Sequence, residues 1–150
     1  MKIVIQRVKN ASVTINNKVA GSISKGLLIL VGIESEDIRA DIDWLVNKIA
    51  NLRIFNDNEG VMNLNINQIN GEVLAISQFT LQASTKKGNR PSYIKAARPE
   101  VAIPLYEDFI KTLNHSINNS VETGEFGADM QVALINDGPV TIIIDSKNRI

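Results

Sequence analysis

Residues 133–145, ALINDGPVTIIID, set an Asn-Asp-Gly-Pro step between two strand-forming runs. Ala133, Leu134 and Ile135 lead in, and Val140, Thr141, Ile142, Ile143 and Ile144 lead out, all residue types that suit a pleated, half-buried surface. Gly138 costs order in a strand and Pro139 removes a ladder donor. The two runs therefore cannot pass through the middle of a sheet without a bulge, an edge or a turn. The pattern predicts two strands, residues 129–135 and 140–145, joined at this step.

The first third alternates in the same way. KIVIQRV (2–8), SVTIN (12–16) and KVAGSIS (18–24) predict a β-meander, with Asn16-Asn17 as a tight turn because Asn tolerates positive φ. Gly26 opens GLLILVGIE, a continuous apolar run that suits a central strand covered on both faces. Ser35 as N-cap, acids at 36 and 37, and the stripe Ile38, Ile42, Leu45, Ile49 and Leu52 predict a helix over 36–52, with Trp44 in the core. EVLAISQFTLQA (72–83) predicts another strand. Leu105, Phe109 and Leu113 predict a second helix from about 100 to 115, with Pro104 in or near its first turn, where a missing N–H costs nothing. With no repeat or linker, residues 1–150 are expected to form a single α+β domain: an antiparallel, barrel-like sheet with two main helices.

Composition narrows the chemistry. The chain has no Cys and one His, so thiolate metal sites, disulfides and a Cys nucleophile are excluded, and no HExxH or CxxC spacing appears; neither metal nor cofactor is expected. Phosphate loops of the GxGxxG or GxxxxGK[ST] kind are missing too. No apolar run approaches the ~18 residues of a membrane helix, and Arg7 and Lys9 interrupt any signal-peptide core, so a cytoplasmic protein with no membrane partner is expected.

Sixteen basic and 16 acidic residues cancel, and no global field announces a nucleic-acid partner. Distribution says more: residues 86–98, KKGNRPSYIKAAR, hold five basic residues and no acid. That run is either a solvated loop or a local phosphate-binding face. His115, at the end of the second helix, reads as a partner of the helix dipole rather than a catalyst. A Ser/His/acid triad would need it beside Ser77 or Thr80. By elimination, any catalysis here rests on backbone groups and positioning, and two segments stand out: SQFTL (77–81) at the end of an apolar strand, and NDGPVT (136–141).

Taken together, SQFTL, NDGPVT, KKGNRPSY (86–93), GEFGADMQV (124–132) and the opening MKIVIQRV with Arg7 resemble the D-aminoacyl-tRNA deacylase family over nearly the whole chain. Tyr93 stands where that family commonly has Phe. The resemblance implies a homodimer with its active site at the subunit interface. The reaction it implies is hydrolysis of the ester joining a D-amino acid to the 3′-terminal adenosine of tRNA. It further implies catalytic positions at Ser77, Gln78, Phe79 and Thr80, and a cis Gly138-Pro139 bond, which proline makes accessible at ~0.5–1 kcal/mol. By the same resemblance, Gly138 and Pro139 from the partner receive the substrate ammonium and exclude L-amino acids, and Arg7 braces them. Phe126, Ala128 and Met130 would shape an adenosine pocket, and Lys86, Lys87 and Arg90, with Lys95 and Arg98, would meet tRNA phosphates.

Two mechanisms stay open at this level: backbone N–H groups near Phe79 and Thr80 with the ribose 2′-OH activating water, or Thr80 as a nucleophile. A steric screen would spare glycine, so cleavage of glycyl-tRNA is expected as well. An alternative of a different class is a noncatalytic dimeric module that binds RNA ends or small amino compounds.

Overall fold

The computed structural model describes residues 1–150. Eight strands and two helices follow in the order β1 Lys2–Ile15, β2 Lys18–Ile23, β3 Gly26–Gly32, α1 Arg39–Asn51, β4 Phe55–Asn56, β5 Met62–Leu64, β6 Glu72–Ser77, a 3₁₀ turn Phe79–Gln82, α2 Pro99–Ser116, β7 Val121–Thr123 and β8 Gln131–Asp145. The main sheet runs β2-β1-β3-β6-β7, with β8 on the far side of β1, and β4-β5 form a separate ribbon. The sheet is mixed. β1 pairs antiparallel with β2, β3 and β8, whereas β3-β6 and β6-β7 are parallel, a departure from the purely antiparallel expectation. The parallel steps arise because α1 and α2 serve as the crossovers that parallel neighbours require.

Both faces of β3 are covered, as its apolar run predicts. Leu27, Ile29 and Val31 join Ile3, Ile5, Ile42, Leu45, Ile49, Phe109 and Leu113 beneath the helices. Leu28 faces the other way, into a second core with Val8, Val13, Leu74 and Ile76. Each of these side chains contributes about 1.5–3 kcal/mol by leaving water.

Local boundaries differ from the sequence pattern in instructive ways. The segments 2–8 and 12–16 are one strand, β1, long enough to carry different partners along one edge. Asn16 and Asn17 do turn the chain at φ 49° and 62°. Helix α1 begins at Arg39, not 36, because the Asp37 carboxylate is taken by the buried Met1 ammonium and the Glu34 N–H. Asp41, in the first turn, accepts the Ile38 N–H instead, and Ile38 stays exposed. Helix α2 starts at Pro99, so Pro104 lies in its second turn rather than its first. Short β7 carries no sequence signal of its own and is held by register against Val73–Ala75.

Two corrections concern the regions of chemical interest. The strand predicted over 72–83 stops at Ser77 and gives way to the 3₁₀ turn. Gly32 lies against that turn, and a Cβ there would come 2.7 Å from Leu81 Cβ and 3.0 Å from the Gln78 carbonyl oxygen. The two strands predicted over 129–135 and 140–145 are one, β8, interrupted by a bulge.

Candidate active site

The bulge is defined by its register against β1. Val8 faces Asn136 and Gln6 faces Thr141, so residues 137–140 stand opposite Arg7 alone. Four residues against one must leave the ladder, and this is the place of the Gly-Pro step. Asn136 closes the excursion: its Oδ1 accepts the Val140 N–H at 2.9 Å, and its Nδ2 donates to Thr141 Oγ1 at 3.0 Å. Asn and Thr thus flank Gly-Pro because they replace the ladder bonds that the bulge gives up. Gly138 has φ 143°, and a Cβ there would meet Val140 Cγ2 at 2.8 Å and Arg7 Nη2 at 3.0 Å. The Gly138-Pro139 bond is cis, and both residues are exposed.

Arg7 does not lie on a solvent face. It is buried at 8% exposure, with Nε donating to the Asp137 carbonyl at 2.8 Å and Nη1 donating to the Ile54 carbonyl at 2.7 Å and Asn56 Oδ1 at 3.2 Å. Its planar fork therefore ties the bulge to β4.

A separate cavity of about 310 Å³ is lined by Ser77, Gln78 and Phe79 on one side and by Phe126, Gly127, Ala128, Asp129 and Met130 on the other. Val31, Ile33, Ile76, Ala97, Ala102 and Val132 complete its apolar wall. SQFTL and GEFGADMQV, 47 residues apart between Ser77 and Gly124, meet here because β6 and the approach to β8 end on the same side of the sheet. The Gln78 N–H is committed to the Val31 carbonyl at 2.7 Å, and Gln78 Nε2 donates to Thr80 Oγ1 at 2.6 Å. By contrast, the N–H groups of Phe79 and Thr80, first in the 3₁₀ turn, donate to no acceptor in the protein. Such orphan donors suit a carbonyl or developing oxyanion.

Asp129 is the only ionisable residue lining the cavity, and no basic side chain borders Thr80 in any hydrogen bond. His115 is remote from the cavity lining; its Nδ1 lies 2.7 Å from the Lys111 carbonyl oxygen on α2. Residues 136–141 do not line the cavity either, so one chain keeps the bulge and the cavity apart. No group of three or more His, Asp or Glu side chains is placed to hold a metal ion, and no helix is long and apolar enough to cross a membrane.

Lys86, Lys87 and Arg90 project from an exposed loop whose base is pinned by paired Ser84–Ser92 backbone bonds of 2.8 and 2.9 Å. Sequence reasoning missed Val31, Ile33, Ala97 and Ala102 as cavity wall, together with Asp129. The alternation of Val31 at the end of β3 and Ile33 just beyond it marks one face, but nothing local says that a cavity lies above it.

A family model described as D-Tyr-tRNA(Tyr) deacylase matches residues 4–145. The chain is 65% identical over 149 residues to a D-aminoacyl-tRNA deacylase of Flavobacterium psychrophilum, covering 99% of both chains. It is 64% identical to one from Bacteroides fragilis strain YCH46, again with 99% coverage of each. Among solved structures, the c-Myc DNA unwinding element binding protein superposes with a TM-score of 0.92 at 39% identity, over 97% of this chain and 98% of that one. A probable eukaryotic D-amino acid tRNA deacylase shares the fold with a TM-score of 0.80 at 15% identity, over 95% and 97% of the two chains.

Proposed function

The chain belongs to the D-Tyr-tRNA(Tyr) deacylase family, and from that premise we propose that it hydrolyses D-aminoacyl-tRNA to free D-amino acid and tRNA in a chirally selective site shared by two copies. The observation that carries the reading is the cavity in which Ser77, Gln78 and Phe79, where β6 passes into the 3₁₀ turn, face Phe126, Ala128 and Met130. Its apolar wall suits a nucleoside; Phe79 lines it, Thr80 is the next residue beyond the lining, and the unbound N–H groups of this pair are the donors available to an ester carbonyl.

An aminoacyl ester on ribose is already activated, so orientation and electrostatics supply most of what the protein must add. With the terminal adenosine seated between Phe126 and Met130, the ester carbonyl accepts from the turn's N–H groups, and the ribose 2′-OH activates the attacking water. Thr80 Oγ1 accepts a hydrogen bond from Gln78 and has no base beside it, which favours this route over a Thr80 nucleophile.

A second copy supplies the other half of the site. β8 is hydrogen-bonded to β1 on one edge and unpaired on the other, and it exposes Ile135 and Ile143 at 52% and 66%. A long free edge with exposed β-branched residues calls for a covering partner. Symmetric pairing through β8 brings each copy's Gly138-Pro139 toward the other's cavity, and the carbonyl oxygens of those residues receive the substrate's α-ammonium. With ammonium and ester both fixed, inversion at Cα exchanges hydrogen and side chain. A main-chain wall held by Arg7 and Asn136 admits hydrogen and rejects anything larger. Glycine passes on either side, so glycyl-tRNA is cleaved as well. The protein acts in the cytoplasm, where aminoacyl-tRNA is made, with no cofactor.

Incubation with matched D- and L-tyrosyl-tRNA tests the reading. Loss of the D-ester with retention of the L-ester supports it. Binding of both without turnover favours a noncatalytic dimeric module for RNA ends or small amino compounds; the 39%-identical neighbour is itself named for binding a DNA unwinding element.

A further inference from the structure

Phe79 and Tyr93 pack edge to face, with ring centroids 5.1 Å apart and planes at 71°. Both remain open to solvent, Phe79 at 56% and Tyr93 at 39%, with Ile94, next to Tyr93 in sequence, at 91%. Large aromatic surface left in water is the informative kind of exposure, and here it has a definite place. Phe79 lines the cavity, so the pair stands at its mouth. Tyr93 is held there by the Ser84–Ser92 bridge on one side and by its own carbonyl accepting the Ala96 N–H at 3.0 Å on the other.

The far end of the same 3₁₀ turn borders a second, polar cavity of about 590 Å³. Lys2, Lys86, Lys95 and Lys147 line it, against Glu34 and Asp145 as the only acids. Lys147 is engaged by Asp41 at 2.8 Å and Lys2 lies 3.8 Å from Asp145, whereas Lys86 and Lys95 form no ion pair. An exposed aromatic step and two uncompensated lysines are thus joined through the two ends of one 3₁₀ turn, beside a nucleoside-sized cavity. Sites for single-stranded nucleic acid combine these two parts, since stacking accepts any base and cations follow the phosphates.

We propose that the Phe79–Tyr93 pair and the lysine-lined cleft form the track of the single-stranded 3′ end, with the nucleobase preceding the terminal adenosine stacked on the exposed rings and its phosphates led along Lys86 and Lys95. The inference rests on the terminal adenosine occupying the first cavity, and it adds specificity for a strand over a lone nucleoside ester. Tyr93 is then a positioning residue. It acts on where the RNA lies and not on the ester.

Two arms test it. The first measures binding of a fluorescent single-stranded RNA ending in CCA, without an amino acid, at low salt. Tyr93→Ala should weaken binding about 5- to 100-fold, the range that removal of one stacking partner gives. Tyr93→Phe should preserve it, and Lys86→Glu with Lys95→Glu should weaken it and flatten its salt dependence. The second compares D-tyrosyl-tRNA with the D-tyrosyl ester of adenosine: Tyr93→Ala should raise KM for the tRNA, leave kcat in place, and leave the nucleoside ester untouched. Equal losses on both esters, or no loss in either arm, overturn the proposal. So does conversion of Tyr93→Ala to a monomer in sedimentation, which would mean that a second copy covers the pair. A wild-type protein that binds the RNA but cleaves neither ester contradicts the deacylase reading and leaves the track standing.

Discussion

At the scale of single residues, the bulge depends on three side-chain choices. Gly138 has a φ that L side chains rarely adopt, and a Cβ would press on Val140 and Arg7. Gly138→Ala should cost about 1–3 kcal/mol of stability in urea denaturation and displace the wall, lowering D-ester hydrolysis more than it lowers stability. Arg7→Lys should behave nearly like Arg7→Ala, because one ammonium cannot reach the Asp137 and Ile54 carbonyls and Asn56 together; a loss of about 2–4 kcal/mol in either variant is expected from buried acceptors left without donors. Thr80→Ala should retain single-turnover hydrolysis within about tenfold, whereas a loss of about four decades would make Thr80 the nucleophile. The identities of these residues were legible in the sequence, and the resemblance named Arg7 as the brace of Gly-Pro, but the acceptors it uses, at Asp137, Ile54 and Asn56, were not legible. Asn-x-Gly-Pro-x-Thr announces a break in a strand, but only the register against β1 reveals that Arg7 is the one residue opposite it.

At the scale of elements, patterns of apolar residues located both helices and the central strand, since Ile42, Leu45 and Ile49 and the run at β3 face continuous cores. Boundaries followed polar partners that lie far away in sequence. Helix α1 starts late because Asp37 serves the Met1 ammonium, and its first turn is tied to the chain's end by Lys147 donating to Asp41 at 2.8 Å. Burial alone would raise the Asp41 pKa. Hydrogen bonds from Lys147, the Ile38 N–H and Ser146 overcome it and bring the value down to about 2 from 3.8. A carboxylate depressed in the folded state stabilises fully above its unfolded value and loses that contribution as pH falls through the folded one. Stability should therefore drop between pH 3.8 and about 2, and Asp41→Asn should flatten that part of a urea-midpoint profile against pH. An unchanged profile would mean that the α1 cluster contributes nothing to acid stability. Tyr106 behaves differently: burial pushes its hydroxyl up to about 12 while it donates to the Ala75 carbonyl at 3.0 Å, so it remains a neutral donor beneath β6.

At the scale of the whole molecule, one chain keeps apart two features that the proposed function joins across two copies: a cavity of about 310 Å³, and an exposed, braced Gly-Pro bulge on a strand with a free edge. Neither feature explains handedness alone. That division was invisible to periodicity, which places residues on faces of elements and says nothing about which faces meet across a symmetry axis. Subunit mixing reads it directly. Gly138→Ala disables the wall, Ala128→Phe fills the cavity, and each variant alone should lose D-tyrosyl-tRNA hydrolysis. Co-expressed, they should regain about a quarter of wild-type activity, because half of the dimers are mixed and each mixed dimer carries one site free of both lesions. Mixed dimers, isolated by two tags, that stay as inactive as either parent would place wall and cavity in the same chain and contradict a site shared between two copies.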